Sequence, residues 1–276
     1  MVACLVAFGP ACQARRPRSE AFPRLWVVQG SWLNQIASDE PAIARALFRP
    51  PSVVLGARPG RKIAMKSFMW PSYRWFSDMV LAQGTYKHSG AMAFMHAFTS
   101  VVYDPEDWRA TPLRERQNLA TYFHRFGVLG HSYGWRVIIT PHPDLTMVPH
   151  APCAARTGES EIDAFLRCDL IGAAARYADV VEVQAQGLEG DTAAYRSFVE
   201  RAAAQARLAN PQVQVIAGLT TGSRNSAAQM YAAWNSVRDS VDGYYLSISG
   251  NARVATALSF LHMLPIPNVT PPVHPS

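Results

Sequence analysis

The chain has 276 residues, of which 49% are hydrophobic and 17% are charged, and its formal net charge is +6. That length allows one large domain, and α/β barrels commonly have about 250 residues. The Lys and Arg residues are scattered, apart from Arg15, Arg16 and Arg18. They do not form the clustered basic face that nucleic-acid binding usually requires, so no nucleic-acid partner is predicted.

Residues 1–24 are predicted to be a leader followed by a linker. The run from Val2 to Ala11 is apolar, but it is shorter than the roughly 20 residues that span a membrane, so no membrane span is predicted. It resembles the apolar and cleavage regions of a secretory signal, although the basic residues that normally precede them are missing. We expect a secreted or cell-surface protein; the alternative for this segment is a loosely packed tail.

Strand and helix patterns alternate along the rest of the chain. Strands are predicted at 25–30, 52–55, 62–68, 96–104, 135–140, 179–186, 213–219 and 243–249. Helices are predicted at 39–48, in the later part of 69–84, and at 113–133, 159–177, 191–210, 226–241 and 252–264, with a Pro-rich tail at 265–276. This alternation is typical of a parallel sheet covered by helices.

The strand count and the length favour an α/β fold of the (β/α)8 TIM-like barrel type over residues 25–264, with irregularity expected at its first strands. An open doubly wound sheet is the alternative. Neither the GxGxxG motif after a first strand nor a Walker loop is present in the sequence, so the usual nucleotide signatures of that alternative are missing. We therefore predict no cofactor.

Two cysteines lie in the leader, and the other two, Cys153 and Cys168, bracket a short segment. This pair either closes a disulfide, which would fit export and contribute about 3 kcal/mol, or consists of two separate buried thiols. Their spacing matches no structural zinc motif, so no metal site is predicted.

The stretch 178–191 reads as a buried strand with polar residues on one face. Three apolar residues alternate there with Glu182, Gln184 and Gln186. Because successive side chains on a strand point to opposite faces, the three polar ones share a face. In a sheet covered by helices that face points into a barrel or cleft, where a charge is costly unless it has partners or a task.

The carboxyl ends of barrel strands form the functional rim of such folds. We predict Glu182, Asp104 and Glu106 at this rim as the catalytic carboxylates, because two carboxyl groups that face one pocket can act as general acid and base. The alternative for each is an ion pair with Lys66 or Arg136, and for Asp104 also a capping role. The predicted substrate-binding residues are Tyr103, Trp108, His142, Gln184, Gln186, Thr220, Tyr245, Ser247 and Lys66.

Several tryptophans are also candidates for stacking against sugar rings, because an aromatic ring offers a flat apolar surface. They are Trp26, Trp32, Trp70, Trp75 and Trp108.

Four segments, YDPEDWRATPLRERQNLA, ESEIDAFLRC, RYADVVEVQAQGLEGD and VDGYYLSISG, resemble a group of uncharacterised actinobacterial proteins that often carry secretion signals. The similarity covers roughly residues 96–264, and a specific part of it is the run of Tyr103 to Glu106, Trp108 and Thr111-Pro112. The resemblance implies a barrel and export. At the level of architecture the chain also resembles TIM-barrel glycoside hydrolases, although the DxxDxDxE strand found in one such family is absent.

We therefore expect an exported hydrolase that acts on a glycan or another small-molecule substrate. Two alternatives stay open: a biosynthetic lyase or cyclase for an apolar substrate, which the aromatic-rich rim favours, and a non-catalytic barrel that binds a carbohydrate or a partner. The sequence predicts neither the substrate nor the oligomeric state.

Overall fold

The computed structural model describes residues 24–56, 65–85, 98–222 and 224–266, without some side chains in 65–85. The predicted leader, apart from residue 24, and the predicted tail from residue 267 onward lie outside the described residues. No helix in the described ranges is long and apolar enough to cross a membrane.

Eight parallel strands form a closed barrel in chain order, and the last strand pairs with the first. The register places Leu25 opposite Gly243 and Val27 opposite Val53. The predicted (β/α)8 barrel is confirmed. The strands are β1 (Leu25–Gln29), β2 (Val53–Leu55), β3 (Met65–Trp70), β4 (Ser100–Tyr103), β5 (Arg136–Ile139), β6 (Val180–Val183), β7 (Gln214–Thr220) and β8 (Gly243–Ser247).

Helices surround this barrel in the described part of the chain. They are α1 (Gly30–Asp39), α2 (Pro41–Leu47), α3 (Tyr73–Thr85), α4 (Leu113–Arg116), α5 (Leu119–Ser132), α6 (Glu161–Arg167), α7 (Leu170–Ala175), α8 (Thr192–Ala209), α9 (Ala227–Val237) and α10 (Val254–Met263), with short 3-10 helices at Pro143–Met147 and Asn251–Arg253.

Two predicted helices are each divided in the structure, and α1 was not predicted. The helix expected over 113–133 breaks before Leu119, where the side-chain amide of Asn118 donates to the carbonyl of Arg114 and competes with the helical backbone bonds. The helix expected over 159–177 breaks at Asp169, whose φ of 51° is left-handed. Asp tolerates that conformation better than most residues do, and it interrupts a right-handed helix.

The barrel separates its apolar side chains into two layers. An outer layer packs between the strands and the helices, and it includes Trp26, Tyr103 and Val181. A smaller inner layer fills the barrel. The inner layer consists of Leu25, Val27, Val53, Leu55, Val102, Ile138, Val180, Ile216 and Tyr245.

Cys153 and Cys168 are free thiols, so the disulfide that the sequence offered as one alternative is absent from this structure. The two thiols are nevertheless neighbours. Burial, followed by a hydrogen bond with Cys168, raises the pKa of Cys153 to about 12. The guanidinium of Arg167 donates to the sulfur of Cys168 over 3.4 Å.

Candidate active site

A cavity of about 310 Å³ opens at the carboxyl ends of the strands. Its lower wall is the apolar inner layer of the barrel, and its upper wall is mostly polar. It is lined by Val27, Gln29, Leu55, Met69, Val102, Asp104, Glu106, Ile138, Thr140, His142, Glu182, Gln184, Gln186, Ile216, Thr220, Tyr245 and Ser247.

The strand β6 and the residues after it supply one wall of this cavity. Glu182, Gln184 and Gln186 line it, whereas Val181 and Val183 pack in the outer layer. The period of two therefore continues past the last residue of β6, and it brings the three polar side chains of the 178–191 stretch onto the inner face.

Asp104, the first residue after β4, is held from two neighbouring strands. One of its carboxyl oxygens accepts a hydrogen bond from the hydroxyl of Thr140 at 2.6 Å and another from the amide of Gln184 at 2.9 Å. The same amide nitrogen of Gln184 donates to the carbonyl of Thr140 at 2.6 Å. Burial raises the pKa of Asp104, whereas these two hydrogen bonds and the charge of His142 oppose the rise.

Glu106 lies two residues further along, in a half-buried position on the cavity wall. Burial and then the negative charge of Asp104 raise the pKa of Glu106 from 4.5 to about 7. A carboxyl group with that pKa holds a proton and releases it near neutral pH, as a general acid and base must.

Glu182 is the most buried of the three carboxyl groups. It is 3% exposed, whereas Asp104 is 9% exposed. Burial, and then the negative charges of Asp104 and Glu106, raise the pKa of Glu182 well above its usual value, so its neutral form is favoured. Its carboxyl oxygen accepts a hydrogen bond of 2.9 Å from the amide of Gln186. All three carboxyl groups therefore line the same cavity.

His142 also lines the cavity and pairs with Asp144. Its Nδ1 atom is 2.9 Å from a carboxyl oxygen of Asp144, and the same oxygen accepts from the backbone N–H of Asp107. Burial by itself lowers the pKa of His142, but the hydrogen bond and the charge of Asp144 outweigh burial, so the pKa is raised. When it is protonated, His142 places a positive charge close to Glu106.

The other side of the cavity consists of residues from β1, β7 and β8. Thr220, Tyr245 and Ser247, predicted from sequence to bind substrate, all line it. Burial, and then the charge of Glu182, raise the pKa of Tyr245, so its hydroxyl stays protonated. Gln29, at the end of β1, completes this wall.

Tyr103 and Trp108, also predicted to bind substrate, are not among the lining residues. Tyr103 is adjacent to Asp104 and so points to the opposite face, where its ring stacks on Phe126 and its hydroxyl donates to Glu115 at 2.9 Å. Trp108 is 44% exposed. Its indole N–H donates to the hydroxyl of Thr111 at 2.9 Å, and this hydrogen bond stabilises the loop after β4.

The proposed tryptophan platform for sugar rings is also corrected by the structure. Trp26 is fully buried in the outer layer, Trp32 and Trp70 pack against that layer, and Trp75 is 52% exposed on α3. None of these lines the described cavity. Their enrichment in the sequence reflects helix–barrel packing and a few exposed positions.

The ion pairs suggested as alternative roles for the carboxylates do not involve Arg136. Its guanidinium donates to Gln214, at the first residue of β7, and it also interacts with Asp179. Arg136 is itself the first residue of β5, so it lies at the opposite end of the barrel from the cavity. Lys66 is in register with Val54, and its side chain lies outside the described part of the structure.

Two structurally important positions were missed at the sequence level. Glu189 is fully buried and accepts hydrogen bonds from the backbone of Gly187 and Thr220 and from the amide of Asn225, which joins the loops after β6 and β7. Gly218, inside β7, leaves room for the side-chain amide of Gln186. Most of their partners lie far apart in the chain, so neither position is marked by a local motif.

No metal cluster is present in the described residues: no group of three or more His, Cys, Asp or Glu side chains there is arranged to hold an ion. Asp104 and Glu182 bond to the neutral side chains of Thr140, Gln184 and Gln186.

No family model and no curated protein matches the chain. Solved barrel structures do match. A class V chitinase from Pseudomonas fluorescens is 12% identical, with 87% of this chain and 100% of that chain covered and a TM-score of 0.49. A sugar phosphate isomerase/epimerase from Parabacteroides distasonis is 12% identical, with 90% and 99% covered and a TM-score of 0.48. A Schiff-base-forming fructose-1,6-bisphosphate aldolase is 11% identical, with 86% and 91% covered and a TM-score of 0.45. At these identities the likeness concerns the fold alone.

Proposed function

We propose that the chain is a hydrolase that cleaves a glycosidic bond at the carboxyl groups of the cavity. One observation carries this proposal: Glu106, with a pKa of about 7, lies beside Asp104 in a cavity at the carboxyl ends of the strands. Neighbouring carboxyl groups that differ in their preferred protonation state are the requirement of glycoside hydrolysis.

The burial of the carboxyl groups suggests how the roles divide. Glu106 is half-buried on the wall, so it is placed to donate a proton to the departing oxygen of a sugar that enters the cavity. Asp104 accepts two hydrogen bonds that offset part of the rise in its pKa caused by burial, and in its ionised form it is placed to act on the positively charged sugar or on the attacking water. Glu182 lies deeper, on the floor side. The products are two hydroxyl-bearing fragments, and water supplies the added oxygen.

The lining of the cavity disfavours a lyase or cyclase for an apolar substrate. Most of the residues above the apolar floor are polar, and Tyr245 is the only Trp, Tyr or Phe among the lining residues described. The third alternative, binding without catalysis, is separated from hydrolysis by experiment.

The experiment measures reducing-end release from a panel of oligosaccharides and chromogenic glycosides. Glu106→Gln is expected to lower kcat by roughly 10²- to 10⁴-fold, which is the usual contribution of a general acid. Glu200→Gln is the matched control, because that side chain pairs with Arg196 on the outer surface of α8. Glycan binding without turnover in the wild-type protein, or full activity in Glu106→Gln, contradicts the proposal.

A further inference from the structure

Hydrolysis as proposed uses Glu106 and Asp104, so the third carboxyl group, that of Glu182, has no part in breaking the bond. Burying a carboxyl group without a charged partner is costly. In the described residues its side chain accepts one hydrogen bond, from Gln186. A buried acidic group that faces a cavity and has only this partner is placed to contact a ligand.

The amide of Gln186 presents a second acceptor next to that carboxyl group. Its nitrogen donates to Glu182, and its oxygen is buried with no hydrogen-bond partner in the described part of the structure. The amide occupies space left open by Gly218, where a Cβ atom would lie 2.5 Å from the amide carbon. Such unsatisfied buried acceptors are rare in folded proteins. This oxygen has almost no accessible surface, so a donor in the cavity reaches it when the amide turns.

The electrostatics of the cavity favour a positively charged ligand. Among the described lining residues there is no lysine or arginine, and the one basic group, His142, pairs with Asp144. An anionic group such as a phosphate would face three carboxyl groups. An ammonium group has three N–H donors and no acceptor. It therefore suits the carboxyl group of Glu182 and the amide oxygen of Gln186, which both accept hydrogen bonds.

We propose that the floor of the cavity binds a protonated primary amine through Glu182 and Gln186, and that the substrate ends in an amino sugar whose amine is free. The identity of the sugar part rests on the proposed function. The volume of about 310 Å³ is at the small end of ligand pockets, so the cavity accommodates a terminal unit better than an internal stretch of a polymer.

Amine binding at this position is coupled to proton release. Burial favours the neutral form of Glu182 in the free protein. When an ammonium ion binds, the carboxyl group loses its proton to the buffer and the resulting carboxylate pairs with the ammonium, so charge and atoms balance. Up to one proton is therefore released for each amine bound.

Isothermal titration calorimetry at pH 7 tests the inference, with D-glucosamine and D-galactosamine as probes and their N-acetyl forms and D-glucose as comparisons. Titrations in phosphate and in Tris, which differ in ionisation enthalpy, count the protons released. We expect the free amines to bind roughly ten- to a hundredfold more tightly than the N-acetyl forms, since a charged hydrogen bond is replaced by a neutral one.

Two variants test whether Glu182 and Gln186 cause the preference for amines. Glu182→Gln is expected to abolish both the preference for amines and the proton release. Gly218→Ala keeps the carboxyl group of Glu182 but displaces the amide of Gln186 that donates to it, and it is expected to weaken the preference. A thermal unfolding curve shows that each variant is folded. Unchanged preference in both folded variants, or equal wild-type binding of glucosamine and glucose, overturns the inference.

The two proposals fail in different ways. Hydrolysis of neutral glycans without an amine preference refutes the amine site and leaves the hydrolase intact. An amine preference that persists in Glu106→Gln, with no hydrolysis of any glycan by the wild type, supports the amine site and refutes the hydrolase.

Discussion

Replacing Asp104 by Asn is expected to lower the pKa of Glu106. Burial is the largest cause that raises this pKa from 4.5 to about 7, and the negative charge of Asp104 is the second. The amide of Asn has nearly the shape of the carboxyl group but no charge, so the second cause disappears while burial remains.

The size of the change follows from the same two causes. The rise from 4.5 to about 7 is about 2.5 pH units, and burial accounts for the larger part. A neighbouring charge in a pocket changes a pKa by about 1 or more. We therefore expect the pKa of Glu106 to fall to about 6 in Asp104→Asn. Because a general acid works in its protonated form, the decline of activity at high pH would then begin about one pH unit lower.

Carbon-13 NMR titration of the glutamate carboxyl groups measures this pKa directly and does not depend on turnover, which the substitution also slows. Asp78→Asn is the control, since Asp78 is exposed on α3 and pairs with Arg74. An unchanged or higher pKa of Glu106 in Asp104→Asn would refute the reasoning, because it would mean that the two carboxyl groups do not act on each other.

Two further predictions concern stability and thiol chemistry. Burial and the charge of Asp104 raise the pKa of Glu182 well above its usual value, so the folded protein loses stability as pH rises from the pKa of the unfolded chain towards that of the folded protein. Glu182→Gln should remove this loss, so its stability relative to the wild type should be higher at pH 8 than at pH 4. Urea unfolding at the two pH values measures it, and an equal effect at both contradicts it. Cys153, whose pKa burial raises to about 12, should react with iodoacetamide at pH 8 much more slowly than in the unfolded chain; peptide mapping by mass spectrometry measures the rate, and similar rates would contradict the expected protection.

The sequence contains enough local information to predict the barrel. Apolar runs of strand length alternate with helical patterns, and strands buried on both faces read as nearly continuous Val and Ile, as in β5 and β6. The same periodicity predicts which residues after β6 share a face, because side-chain direction in an extended chain depends only on the count along it. Applied to β4, it would also have separated Tyr103 from Asp104.

Only the tertiary structure determines the pKa values of the cavity residues and the contacts that hold their side chains in place. Asp104 meets Gln184 from 80 positions away, and Gln186 rests against Gly218 on a different strand. A pKa depends on burial and on distances through space, and neither is encoded in the spacing of residues along the chain.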